Sequence, residues 1–479
     1  METRNLIGGH WCLAQDNRTF PVHDAATGEV LAQVPDCDVA DARDAIDAAS
    51  AALDGWRSRH APEREAILRS IAARLRERKR EFAQIITAEN GKPLDESAGE
   101  VEYSADYFDS AADEAIRLGT EVIRSRRADR SLRAIPEPIG VVAAITPWNF
   151  PLAMIARKTA PALAVGCTQV VKPAESTPLT ALAFARLLIE IDLPPGVVNI
   201  ITGAPDAIGS TWLSDGRVRK LSFTGSTAVG RHLMRSAADQ VVRLSLELGG
   251  HAPFVVFADA DVSAAIAGAL TGKFRVSGQT CVCPNRFIVE APVYDEFVAG
   301  LASLASELRV GCGRDEGVRI GPLIDDRAIE RVRSQITDAV AKGASIVTGG
   351  KSVAVAGCLD RFFAPTILAN ATREMLCFQE ETFGPVAPVA RFTGEAEAIE
   401  FANATPFGLA GYVYSRDEER IERMVRSMNC GIVGTNTGII SDAYAPFGGR
   451  GWSGFGREGG RWGLEEYTSW KYVCSAVTT

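Results

Sequence analysis

The chain has 479 residues, is 46% apolar and carries a formal net charge of −9 with its basic residues dispersed. That length buries a large core and divides into two or three domains, and that charge argues against nucleic acid or an anionic membrane as partner. The N-terminal stretch "METRNLIGGHWCLAQDNRTF" has no apolar signal core, and no run approaches about eighteen uninterrupted apolar residues, so a cytoplasmic protein is expected.

Ten Cys are scattered along the chain, which favours reduced, buried thiols over a disulfide framework. The five His lie in no metal-ligand spacing and Cys281-Val-Cys283 has no second pair nearby, so no metal is expected.

Residues 40–116 read as helices: "APEREAILRSIAARLRERKREFAQIITAENGKP" has apolar residues at helical spacing and a Gly-Lys-Pro stop. A short basic stretch, "RSRRADRSLRAIPEP", then reads as an extended excursion or strand. From residue 139 the texture becomes strands alternating with helices. "IGVVAAIT", "TQVVK", "GVVNIITG" and "KLSFTG" are apolar strands, with helices from Pro151, over "LTALAFARLLIEI" and over "STAVGRHLMRSAA". This alternation is the signature of a parallel sheet covered on both faces, an α/β fold. A second alternating region follows "ELGGHAPFVVF" and runs to about residue 435, with strands such as "RFIVE" and "GIVGTN". The Gly-rich "PFGGRGWSGFGREGG" breaks the pattern, and "EEYTSWKYVC" reads as a last strand.

"FRVSGQTCVC" poses the chemical question, because a thiol is a useful nucleophile only with an activating base and a holder for the oxyanion it creates. Three strand-end loops offer partners for Cys281. Asn149 in "TPWNFP" has an amide to donate to an oxyanion; Glu247 in "LELGG" is a carboxylate in an apolar setting, suited to general base work; "QEETFGPV" adds Glu381 and Phe383 before a Gly-Pro turn. No Cys-His-Asn pattern stands near them. No strand-to-helix turn of the first alternating region carries the G-x-G-x-x-G fingerprint, but "FTGSTAVG" places Gly225 and Gly230 around such a turn, whose N–H groups suit a pyrophosphate. Lys172 and Glu175 in "VVKPAE" end another strand, where ribose hydroxyls are met.

Taken together, "TPWNFP", "KPAE", "FTGS", "LELGG", "GQTC" and "EETFGP" resemble the aldehyde dehydrogenase superfamily, in the family's order and over nearly the whole chain. The resemblance implies a Rossmann-type parallel-sheet cofactor domain (1–118 and 138–250), an α/β catalytic domain (251–458) and a bridging oligomerisation element (119–137 and 459–479), assembled as a homodimer or homotetramer. It implies Cys281 as nucleophile, Asn149 and the Cys281 N–H as oxyanion holders, and Glu247 as the base that activates water against a thioester. Trp148, Asn149, Lys172, Glu175, Gly225, Ser226, Leu248, Glu381 and Phe383 fall where the family contacts its dinucleotide. NAD is the expected cofactor, because the Glu175 charge repels a 2′-phosphate; NADP stays possible because Lys172 stands beside it.

Closer features resemble the succinate-semialdehyde dehydrogenase branch: Arg275 before the nucleophile, the Cys-x-Cys, Arg157 in "ARKTAPALAVGC" and Ser441 in "NTGIISDAYAPFGG". Arg157, Arg275 and Ser441 are then expected to bind the far carboxylate of a small anionic aldehyde, since guanidinium forks suit a planar anion. Cys283 is the expected redox partner of Cys281, closing a strained, reducible disulfide under peroxide. His251, Arg450, Gly451 and Trp452 depart from the branch, which opens glutarate semialdehyde or a sulfonated aldehyde such as sulfolactaldehyde as alternative substrates. Glu247 argues against a coenzyme A-acylating enzyme, and Cys281 with Glu247 against a catalytically silent binding protein.

Overall fold

The computed structural model describes residues 2–477; Met1 of the expected cofactor unit and the last two residues of the expected bridging tail lie outside them. The helical N-terminal region is built as its periodicity predicts, with Val39–Arg57, Ala61–Glu77, Lys79–Asn90 and Leu94–Ala115. Asp38 caps the first of these by accepting the Ala40 N–H.

Five strands then form the heart of the first sheet: β1 (Val141–Ile145), β2 (Thr168–Lys172), β3 (Val198–Ile200), β4 (Val218–Thr224) and β5 (Arg243–Glu247). They pair in parallel in the order β3-β2-β1-β4-β5. Every residue of β1 and β2 is buried, the reason these strands read as continuous apolar runs and not as alternation. Helices α1 (Ala153–Val165), α2 (Leu179–Glu190) and α3 (Thr227–Ala237) connect them. The chain winds outward one way from β1 and the other way from β4. That reversal opens a crevice at the carboxyl ends of β1 and β4, where ligands of such sheets bind.

Three short strands lengthen this sheet in ways the sequence did not announce. Asn5–Ile7 and His10–Cys12 extend it beyond β3, and Gly454–Phe455, from the Gly-rich segment, pairs antiparallel with β5. Two or three residues are too few to show a period of two.

The second sheet holds β6 (Ala252–Val256), β7 (Pro284–Glu290), β8 (Thr366–Ala369), β9 (Val386–Phe392), β10 (Ala410–Tyr414) and β11 (Ile432–Thr435). Their order is β8-β9-β7-β6-β10-β11, all parallel, with Ser345–Thr348 antiparallel outside β8. Helix α4 (Val262–Phe274) leads from β6 to the stretch before Cys281. A third sheet joins Thr468–Ala476 to Arg130–Pro138 and Glu121–Ile123, antiparallel, with Thr468 opposite Pro138 and Ala476 opposite Arg130. The basic excursion and the C-terminal stretch are thus one ribbon, and it exposes Val122, Trp470 and Tyr472. No helix among the described residues is long and apolar enough to cross a membrane. Among them, too, no three His, Cys, Asp or Glu converge as a metal site.

Candidate active site

The crevice at the carboxyl ends of β1 and β4 is a cavity of about 460 Å3 whose wall includes Trp148, Asn149, Gly225, Ser226, Leu248, Cys281, Glu381 and Phe383. Eight of the residues expected from the sequence therefore face one space. The loop after β1 brings Trp148 and Asn149, the turn after β4 brings Gly225 and Ser226, and the loop after β5 brings Leu248. Trp148 and Phe383 meet edge to face, ring centres 5.6 Å apart. Ser226 caps α3, its side chain accepting the Val229 N–H at 3.3 Å, so the first turn of that helix opens onto the cavity.

Cys281 is half-buried and follows an unusual backbone. Val276 and Ser277 have φ of 51° and 56°, and Gly278 has 77°. Left-handed conformation at a β-branched residue costs roughly 1–3 kcal/mol, and persists where the surroundings over-determine it. Here Glu96 accepts the Val276 N–H at 2.8 Å and Ser277 donates to the Gly321 carbonyl at 3.0 Å. A Cβ on Gly278 would stand 2.2 Å from the Gly384 carbonyl oxygen, and one on Gly250 would stand 2.1 Å from that of Cys281. The two glycines of "LELGG" and "SGQTC" are thus close-approach positions that lock three loops together.

Asn149 is held from below and reaches towards this loop. Its side-chain amide donates to the Gln279 carbonyl at 3.0 Å, which leaves a second N–H for an oxyanion; its carbonyl accepts from Lys92 Nζ at 2.5 Å. Burial pushes the Cys281 thiol up to about 12; Arg157 pulls the other way, while Glu247 and Glu381 add to the rise.

Glu247 ends β5 opposite Thr224 and lies just behind the wall formed by Thr224, Gly225 and Leu248. It is 3% exposed, and among the described residues neither carboxylate oxygen has a hydrogen-bond partner. Burial and the neighbouring Glu458 raise its carboxyl well above the ordinary carboxylate range, against the pull of Arg157, Lys158 and Arg457. Glu381 accepts the Gly250 N–H at 2.9 Å and is raised to about 7 by burial.

The other expected residues do not line this cavity. Lys172 and Glu175 form an ion pair at the end of β2, the lysine buried and the glutamate half-exposed. Arg275 is half-buried over the Phe150 ring at 4.9 Å, and among the described residues it makes no ion pair. Ser441 is half-buried in the loop after β11. Arg157, 2% exposed, stacks on Phe447 at 3.8 Å and pairs with Glu458, Nε to Oε2 2.9 Å. Cys283 is fully buried, its sulfur 3.4 Å from Lys273 Nζ.

The sequence reading missed the groups that surround Glu247. Glu458 takes Lys158 Nζ at 2.5 Å, and Lys158 also donates to Thr224 Oγ1 at 2.7 Å. It missed the rim residues Asp325, Arg327 and Arg331 as well. The one local sign of Glu458 was an acidic residue inside a Gly-rich stretch.

The aldehyde dehydrogenase family profile matches residues 11–473. The chain belongs to the aldehyde dehydrogenase family. It is similar to succinate-semialdehyde dehydrogenase (NADP+) of Escherichia coli K12, 49% identical over 469 residues, covering 98% of this chain and 97% of that one. It is 47% identical over 471 residues to glutarate-semialdehyde dehydrogenase of Pseudomonas putida, covering 98% and 97%. The solved structure of succinate-semialdehyde dehydrogenase from Burkholderia pseudomallei superposes with a TM-score of 0.97 at 50% identity, covering 99% of this chain and 98% of that one. Membership also accounts for the order of the six motifs along an α/β chain with two parallel sheets.

Proposed function

We propose that this aldehyde dehydrogenase oxidises a short semialdehyde with an anionic far end, succinate semialdehyde to succinate. The observation that carries the reading is Cys281 in the cavity wall with Glu247, a buried carboxylate without a partner, directly behind that wall. Glutarate semialdehyde is the second reading, favoured by the Pseudomonas putida relative.

The crevice fits a nicotinamide dinucleotide: the first turn of α3 and Ser226 would meet its pyrophosphate, Glu175 and Lys172 a ribose, and Trp148, Leu248, Glu381 and Phe383 its nicotinamide end. Bound there, it would supply the hydride acceptor. The rest is the work of this chain. The Cys281 thiol proton leaves to solvent, Sγ attacks the carbonyl carbon, a C–S bond forms, and the carbonyl electron pair moves to oxygen. The remaining Asn149 amide N–H and the Cys281 backbone N–H receive that oxyanion. After oxidation the substrate is a thioester on Cys281. Glu247 takes a proton from water as the water attacks, and the thiolate leaves. A carboxyl raised by burial is the stronger base once ionised, so the hydrolytic half should quicken as pH rises.

Arg275, which makes no ion pair among the described residues, is the residue we assign to the substrate's far carboxylate, together with Ser441 and with Arg157, which is shared with Glu458. Cys283 would leave Lys273 to close a disulfide on Cys281 under peroxide. We take the first sheet as the cofactor unit, the second as the catalytic unit, and the third as the bridge of a homodimer or homotetramer in the cytoplasm. Glu175 favours NAD over NADP in this reading, although the Escherichia coli relative is named for NADP.

The test is kcat/KM for aldehydes ending in carboxylate, sulfonate, amino, aromatic and methyl groups, with NAD and with NADP. The four-carbon carboxylate and NAD should lead. Arg275→Ala should weaken kcat/KM for carboxylate-ended aldehydes by the equivalent of about 2–5 kcal/mol and spare the methyl-ended one. Equal losses for both would make Arg275 a residue of the fold alone.

A further inference from the structure

The stretch that delivers Cys281 bends in a way its residues do not favour. Helix α4 ends at Phe274, and Arg275 leaves it extended, with φ −54° and ψ 133°. Val276 and Ser277 then turn left-handed, with ψ of 37° and 31° beside their positive φ, and Gly278 makes a third such residue in a row. Glycine adopts this backbone freely; a β-branched valine does not. Val276 is 1% exposed, so its N–H needs a partner within the protein.

Glu96 supplies that partner. It stands in the first turn of helix Leu94–Ala115, and its Oε2 accepts the Val276 N–H at 2.8 Å. From Val276 to Val282 the other contacts come from uncharged groups. The Val276 carbonyl accepts the Gln279 N–H at 3.0 Å, Gln279 Oε1 accepts the Ile324 N–H at 3.0 Å, and the Tyr412 hydroxyl donates to the Val282 carbonyl at 2.7 Å. Asn149 reaches the Gln279 carbonyl, three residues beyond the point that Glu96 holds. Glu100, four residues after Glu96 and so on the same helix face, holds Lys92, which supports Asn149. One helix face thus braces both the nucleophile loop and the oxyanion holder.

We propose that Glu96 is a positioning residue for the reaction: its carboxylate keeps Val276 left-handed and so presents the Cys281 thiol to the cavity. This rests on the reading of Cys281 as nucleophile. Without the acceptor the turn relaxes towards ordinary backbone, and the presenting conformation becomes a minority state. Every rate that needs Cys281 Sγ then falls by that fraction, about tenfold to a hundredfold. Dinucleotide binding does not pass through this turn, because Trp148, Gly225, Ser226 and Leu248 stand on the loops after β1, β4 and β5.

The experiment compares three quantities in the intact enzyme: the rate at which iodoacetamide alkylates Cys281, kcat with succinate semialdehyde, and Kd for NAD. Fragment masses of tryptic peptide 276–286 assign the label to Cys281. Glu96→Ala should lower the alkylation rate and kcat together, by about tenfold to a hundredfold, and leave Kd unchanged. Should that variant fold poorly, Glu96→Leu, which keeps the apolar bulk, carries the same expectation. Glu96→Gln keeps an oxygen acceptor and should stay within about threefold of wild type. Adding Val276→Gly to Glu96→Ala should restore both rates, since glycine holds a positive φ unaided. The proposal is overturned if Glu96→Ala alkylates and turns over like wild type, if Glu96→Gln falls as far, or if the added glycine restores nothing. Wild-type turnover that survives complete alkylation of Cys281 is a separate result: it would reject Cys281 as nucleophile, and this proposal with it.

Discussion

Two buried carboxylates, one under Asn149 and one under Cys281, show what separates a strut from a reactive group. Glu100 spends both oxygens: Oε1 accepts the N–H groups of Leu152 and Ala153 at 2.8 and 3.1 Å, and Oε2 accepts from Lys92 at 2.6 Å. It ties the helix Leu94–Ala115 to the start of α1 and holds the lysine that holds Asn149. Glu247 spends neither oxygen. Both side chains are out of water, but the unsatisfied carboxylate costs free energy, which fits the role in chemistry we propose for Glu247. Satisfaction of hydrogen bonds, and not burial, marks the difference.

The largest effect expected from breaking this contrast is at the strut. Glu100→Ala leaves two helix N–H groups without partners and a buried ammonium without its counter-ion, held by the Asn149 carbonyl alone, and should cost about 3–5 kcal/mol, read as a fall in the denaturant midpoint. A loss within about 1 kcal/mol would show that Glu100 is no strut. Glu247→Gln should do the opposite, by a smaller amount and with a pH signature. The Glu247 carboxyl is raised in the folded state, so its burial costs nothing below the unfolded value near 4.3 and costs more as pH climbs towards the folded value. Wild type therefore loses stability across that window while the variant does not. The gain in Tm of Glu247→Gln should grow as pH rises above the ordinary carboxylate range. A gain that stays flat with pH would mean that Glu247 is already ionised and satisfied.

The sequence disclosed the site better than its surroundings, for a physical reason. Strand-end loops carry their chemistry locally: "TPWNFP", "FTGS" and "LELGG" each place a side chain where a parallel strand must stop, so period and motif agree on Trp148, Asn149, Gly225, Ser226 and Leu248. The environment that tunes these groups is not local. Glu458 reaches Arg157 and Lys158 from a Gly-rich segment with no periodicity, and its strand Gly454–Phe455 is two residues long. Arg157 read as a bare guanidinium because its counter-ion lies far along the chain. Lys92, read only as part of a helix stop, turned out to support Asn149 through a contact between distant residues.

The central claim is that Glu247 ionises water against a Cys281 thioester. The most direct measurement is rapid mixing of Glu247→Gln with cofactor and succinate semialdehyde, following reduced cofactor and acid product. The account predicts a burst of about one reduced cofactor per subunit, then a stall with the acyl group trapped on Cys281 by mass. Sustained turnover at the wild-type rate, with no trapped acyl group, would contradict it.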